Sequence, residues 1–143
     1  MSGDERKLLE AVLVRLVALG DTGGATRRIA GLEEFDGSKR GLAEKLTTEQ
    51  CGRLLLAVAN SIEICHEQLI TQWPWWQNCI TAAAVDMRPL ARLMSKAAEW
   101  STGAWARRYL ATGAELDLFR DLARRRPTWL SKTEAEFVKR SLL

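Results

Sequence analysis

Histidine occurs once in these 143 residues, at position 66, and cysteine and proline three times each. Cys51, Cys65 and Cys79 form no C-x-x-C pair, and Cys65 with His66 as adjacent ligands does not match the ligand spacing of zinc fingers. Free thiols packed as small hydrophobes are the expectation. Long apolar runs are also missing. Leu54–Ala59 and Ile80–Val85 are far too short to span a bilayer, and the polar start Met-Ser-Gly-Asp-Glu-Arg-Lys has no signal-peptide core. A cytoplasmic protein without a membrane partner is expected. Gly20–Thr26 is glycine-rich but lacks the Gly-Lys-Ser/Thr of a Walker phosphate loop. His66 has no evident nucleophile and orienting carboxylate, Glu33-Glu34 reads as a solvated acidic patch, and Glu63-x-x-His66 occurs only once, against a di-iron bundle. These absences predict a protein that is not an enzyme, with no catalytic residues, no metal and no cofactor.

What is present is an uneven charge distribution. The formal net charge is +3, yet residues 1–72 carry 9 basic against 11 acidic groups, and residues 73–143 carry 12 against 7. No lysine or arginine lies between Leu54 and Met87. Beyond that gap follow Arg88, Arg92, Lys96, Arg107, Arg108, Arg120 and Arg124–Arg126. A lopsided, arginine-dominated half suits a phosphate-bearing partner, because the guanidinium fork donates in pairs. Solvated helix faces produce the same pattern.

Helical signals dominate the chain, and the expected fold is an all-α single domain, a bundle of about five main helices plus short ones. Four capping boxes each open an amphipathic stretch: Ser2 with Glu5, Thr47 with Gln50, Thr112 with Glu115 and Ser131 with Glu134. A first helix is predicted over Asp4–Leu19, short helices over Thr26–Glu34 and Lys39–Leu46, and a long one over Thr48–Gln72. In the last, Cys51, Leu55, Val58, Ile62, Cys65 and Leu69 are spaced 4, 3, 4, 3, 4, an apolar seam at coiled-coil pitch. Pro74 and Pro89 each read as the first residue of a new helix, the second running to about Ala111. Thr112 and Ser131 then open the last two.

Arg88, Arg92 and Lys96 recur at i, i+4 and i+8, so one helix face presents three cations a turn apart. Arg107 and Arg108 flank Trp105 and Tyr109, which suits a nucleic-acid backbone and its bases. Arg124, Arg125 and Arg126 precede Pro127, where cations also complement a helix dipole. These eight residues are the candidate nucleic-acid surface. Trp73, Trp75 and Trp76 around Pro74 are candidates for a protein interface, since tryptophan is enriched at hot spots. Gly41–Ala57 has the outline of a helix-turn-helix, without the usual turn glycine and with Arg53 at an apolar position.

In size, in the long stretch Thr48–Gln72 and in the arginine-bearing segments Arg88–Tyr109 and Glu115–Arg126, the chain resembles the small helical subunit of multisubunit class 1 CRISPR effector complexes, type IV among them. That resemblance implies a non-catalytic subunit in antiviral defence. It would bind guide RNA or target DNA backbone without reading sequence, and pack against other subunits and copies of itself. Two alternatives remain: a helix-turn-helix DNA-binding regulator using Thr48–Arg53, and a helical protein-binding adaptor or inhibitor.

Overall fold

Helix α1, Gly3–Leu13, passes through a 3-10 turn, Val14–Leu16, straight into strand β1, Val17–Leu19. A single helix to Leu19 was the sequence expectation. The reason it stops is visible in burial: residues 11–17 are buried without interruption, which no single helix face allows. The computed structural model describes residues 3–19, 24–48, 54–65 and 72–143. The chain divides into two compact units, Met1–Ala84 and Val85–Leu143.

In the first unit, β1 pairs antiparallel with β2, Ala25–Arg27, and a short β3, Ala30–Gly31, follows. These strands replace most of the helix predicted over Thr26–Glu34, of which only a 3-10 turn at Leu32–Glu34 forms. Helix α2, Ser38–Lys45, forms where a helix was predicted and packs on α1. Gly37 precedes it at φ 53, a left-handed conformation that glycine adopts at little cost.

The largest correction concerns Thr48–Gln72. Leu55–Val58 and Ser61–Ile64 are antiparallel strands β4 and β5, joined by Ala59-Asn60, with Ala59 at φ 53 as a two-residue hairpin favours. β3 pairs with the far side of β5, giving a sheet of order β3-β5-β4. Ile62 and Ile64 alternate inward with period two, and Leu55, paired opposite Ile64, joins them in the core. Val58, the seam's next member, is 55% exposed. Cys51 and Leu69 lie outside the described residues. The protein is therefore predominantly helical with two small sheets, not all-α.

A network of charges ties this unit together. The Arg15 guanidinium, fully buried, donates to Glu34 Oε1 at 2.9 Å, and Arg28 donates to the same oxygen at 2.8 Å. Arg28 also donates to the Arg15 carbonyl at 2.8 Å, and Glu34 Oε2 accepts from the Gly31 N–H at 3.0 Å. Glu34 is thus no solvated acid: one carboxylate joins the 3-10 turn after α1, the segment after β2 and the 3-10 turn at Leu32–Glu34. Shared charge-assisted bonds of this kind give a single geometry to segments too short to hold themselves.

Helix α3 runs unbroken over Pro74–Thr102, through Pro89. Pro74 opens it as predicted. Pro89 does not start a new helix, because apolar residues on both sides of it lie on one face: Ala83, Met87, Leu90, Leu93 and Ala97 are all buried. That continuous stripe outweighs the missing N–H. In the second unit, Val85–Leu143, α3 is followed by a 3-10 turn at Arg107–Tyr109, α4 (Gly113–Arg125), a 3-10 turn at Pro127–Trp129 and α5 (Lys132–Ser141). α4 packs on α5. The core of this unit is Leu93, Trp100, Phe119, Leu122, Trp129 and Phe137, with Phe137 5.7 Å from Trp100 and 6.3 Å from Phe119 between ring centroids. The Ser131 box forms as predicted: Ser131 Oγ accepts from Glu134 N–H at 3.3 Å, and Glu134 Oε1 from Ser131 N–H at 3.1 Å. Thr112 caps α4 by position only, with no side-chain bond to the helix. Ser2 and Gln50, from the other two boxes, lie outside the described residues.

Candidate functional site

The end of α3 sets the geometry of a cavity in the second unit. Gly103 N–H donates to Glu99 O at 2.8 Å and Trp105 N–H to Trp100 O at 3.0 Å, the six-to-one bond of a Schellman stop. The position that normally wants glycine is filled by Ala104, at φ 58, and Trp105 follows at φ 61. Two successive side-chain-bearing residues in the left-handed region cost about 1–3 kcal/mol each. Gly103 itself has no room for a Cβ, which would strike the Tyr109 ring. The result is a tight turn that holds the Trp105 indole 57% exposed, edge-on to the buried Trp100 at 4.5 Å.

Behind this turn lies a cavity of about 630 Å³, bounded by Trp100, Trp105, Arg107, Thr112, Glu136 and Arg140. Its volume falls within the range of small-molecule sites, roughly 300–1,000 Å³. Arg140 Nε meets Glu136 Oε1 at 2.9 Å on the α5 side, while Ser141 Oγ accepts from Ala111 N–H at 3.1 Å and so fixes the floor. Arg107 is exposed and has no carboxylate partner among the described residues.

The predicted cations separate into two groups. Arg92 Nε sits 3.1 Å from Glu115 of α4, and Lys96 lies 3.9 Å from Glu99, so two members of the row have acidic neighbours; Arg88 is exposed. Arg124 pairs with Asp121 at 2.7 Å. Arg125 grips Asp86 through both terminal nitrogens, at 3.0 and 2.8 Å, and also meets Asp121. Arg126 Nε adds a third bond to Asp86 at 3.0 Å, and its guanidinium lies over the Trp129 ring at 4.7 Å. Hydrogen bonds from Arg125, ahead of those from Arg126, hold the Asp86 carboxyl below the usual carboxylate range, and Arg124 and Arg125 do the same for Asp121. Arg125 is raised in turn, chiefly by Asp86. Arg124 and Arg125 at the end of α4, and Arg126 just after it, are thus bound within the fold by acids of α3 and α4. Arg108 rests over Tyr109 at 5.1 Å.

In the first unit, Trp73 contacts Trp75 at 5.2 Å and Trp76 at 5.8 Å, the latter edge-to-face. Trp76 is 2% exposed and Trp73 and Trp75 are half-buried. Cys65 and Cys79 are free thiols, half-buried, and burial raises Cys79 further from reactivity. His66 and, of the helix-turn-helix candidates, Glu49, Gln50 and Arg53 lie outside the described residues. Among the described residues, no helix is long and apolar enough to cross a membrane, and no three His, Cys, Asp or Glu side chains come together. Sequence reasoning missed Asp86, Trp105's exposure and Arg140. Asp86 carried a signal, as the only acid between Trp73 and Arg88.

A first unit of short helices and two small sheets precedes a helical second unit along the chain. The chain belongs to the nSTAND1 family, described as Novel STAND NTPase 1, whose model matches residues 1–107. No curated protein and no solved structure matches it. The family corrects the expectation of a non-enzyme: it is one of NTPases, and the lack of a recognisable catalytic set in the sequence was no ground for excluding that chemistry.

Proposed function

We propose that this chain works in NTP hydrolysis of the nSTAND1 type, with its first unit, Met1–Ala84, as the element that responds to nucleotide state. The observation that carries this reading is the family match over residues 1–107, which takes in the whole first unit. The sequence contains no Gly-Lys-Ser/Thr, so the reading assigns phosphate gripping to residues other than the Gly20–Thr26 segment. The Arg15–Glu34–Arg28 network supports a responsive role: it lets the short strands and turns of the unit move as one body. Hydrogen exchange of the protein with and without a slowly hydrolysed NTP and magnesium tests it. A change in protection across the β4–β5 hairpin and β3 is the expected result. Identical exchange at saturating nucleotide would overturn the responsive role.

A second reading, binding of nucleic-acid backbone as in the CRISPR small-subunit resemblance, is favoured by Arg107 and Arg108, both exposed and without carboxylate partners among the described residues. It predicts affinity that falls steeply with salt and varies little with sequence. Arg107→Ala/Arg108→Ala binding an unrelated duplex as wild type does would remove it.

A further inference from the structure

We infer that the cavity of the second unit is a binding site for one nucleotide moiety, a planar base joined to a phosphate, with Trp105 as the stacking platform and Arg107 as the anion contact. Trp105 and Arg107 fall at the end of the family match and most of the remaining lining lies beyond it; the inference does not rest on the hydrolysis proposed above.

Three independent features point to this ligand chemistry. An indole left 57% exposed on a turn with two successive left-handed residues is a surface the fold maintains at a cost. Its other neighbour, Trp100, braces it edge-on from the core, so the ring is fixed before any ligand arrives. Preorganisation of that kind is what base stacking requires, because the platform loses no further freedom on binding.

The charge of the lining is the second feature. Arg107 and Arg140 are cations and Glu136 is the one acidic side chain among the lining residues. Glu136 is already committed to Arg140 at 2.9 Å, which leaves Arg107 to meet an anion. A guanidinium two residues beyond the indole can reach a phosphate attached to a stacked base. The third feature is size: about 630 Å³ admits a mononucleotide with water and excludes a folded partner.

The probe is AMP, titrated calorimetrically into the full chain and followed in parallel by saturation-transfer NMR. Saturable binding is expected, with the base protons receiving the strongest transfer. Adenosine and inorganic phosphate alone should each bind more weakly than AMP. Arg107→Ala, on an exposed residue, should weaken AMP roughly tenfold, as the loss of one charge-assisted contact does. Trp105→Ala should weaken it at least as much, and Trp105→Phe, which keeps a stacking face, should restore most of it. Circular dichroism checks that each variant is folded; were Trp105→Ala to unfold, Arg107→Ala and Trp105→Phe still decide. A trinucleotide with a 5′-phosphate separates the two sources of this chemistry. Displacement of AMP by the trinucleotide at lower concentration assigns the site to a strand end, and failure to displace assigns it to free nucleotide. Absence of saturable AMP binding, phosphate binding as tightly as AMP, or AMP affinity unchanged in Arg107→Ala would overturn the proposal.

Discussion

Replacing Asp86 with asparagine keeps the shape of the side chain and removes the charge that three arginine nitrogens share. Asp86 is 5% exposed, while the Arg125 and Arg126 side chains are 43% and 31% exposed. Each hydrogen bond to a charged group contributes about 1.5–3 kcal/mol, and breaking a fully buried pair costs about 3–5 kcal/mol. The arginines here recover hydration when released, so the low end applies, a net loss of about 2–3 kcal/mol. With a urea dependence of about 1–3 kcal/mol per molar, the unfolding midpoint should fall by roughly 1 M at pH 7. The pH dependence is a second check. Asp86 has its carboxyl lowered in the folded state, so its contribution is complete above the unfolded value of about 3.9 and disappears as pH falls through the folded value. Wild type and Asp86→Asn should therefore differ at pH 7 and converge in acid, once pH has fallen below the lowered folded value. Equal midpoints at pH 7, or a gap that persists in acid, would refute the reasoning.

Three further outcomes follow from the same structure. Ile62→Ala, in the core of the first unit, should cost about 2–5 kcal/mol, whereas Val58→Ala, 55% exposed, should stay within about 0.5 kcal/mol; a helical seam would make both costly, and a chemical melt separates the two. Glu34→Gln takes the carboxylate from Arg15 and Arg28, and a thermal melt should register a loss of about 3 kcal/mol, the lower end for stranding a buried charge. Pro89→Ala restores a backbone donor inside α3 and should stabilise the protein by about 1–3 kcal/mol in the same melt; destabilisation would show that the ring packs where alanine cannot.

How far the fold could be read from sequence differed between the two units, for identifiable reasons. Ser131 with Glu134, Pro74 at a helix start and the helix at Ser38–Lys45 were legible because each depends on local chemistry alone. The β4–β5 hairpin was not. Leu55, Val58 and Ile62 fit a 3-4 seam, while Ile62 and Ile64 fit period two, and in so short an apolar run both patterns coexist. The β-branched Val58, Ile62 and Ile64 around Ala59-Asn60 were the signal that decides for strands. Pro89 misled in the opposite sense, since its local preference yields to a buried stripe on both sides.

The cationic rows illustrate a limit of another kind. Charges at i, i+4 and i+8 place Arg88, Arg92 and Lys96 on one face, but their partners come from tertiary structure. Glu115 reaches Arg92 from α4, and Asp86 of α3 gathers Arg125 and Arg126. An acid 39 or 40 residues from its arginines leaves no periodic trace. The exposed Trp105 was equally hidden, since its display depends on positive φ at Ala104 and Trp105, and neither alanine nor tryptophan advertises that conformation.

Phosphate release is the most direct test of the central claim. The protein, purified from its native host with whatever it is joined to or associated with, would be incubated with ATP or GTP and magnesium, and inorganic phosphate followed over time. Membership of an NTPase family predicts release above the buffer rate with at least one of the two nucleotides. The responsive role proposed for the first unit predicts in addition a changed rate in Glu34→Gln, which takes away the carboxylate that Arg15 and Arg28 share. Release at the buffer rate with both nucleotides, from folded protein, would contradict the account.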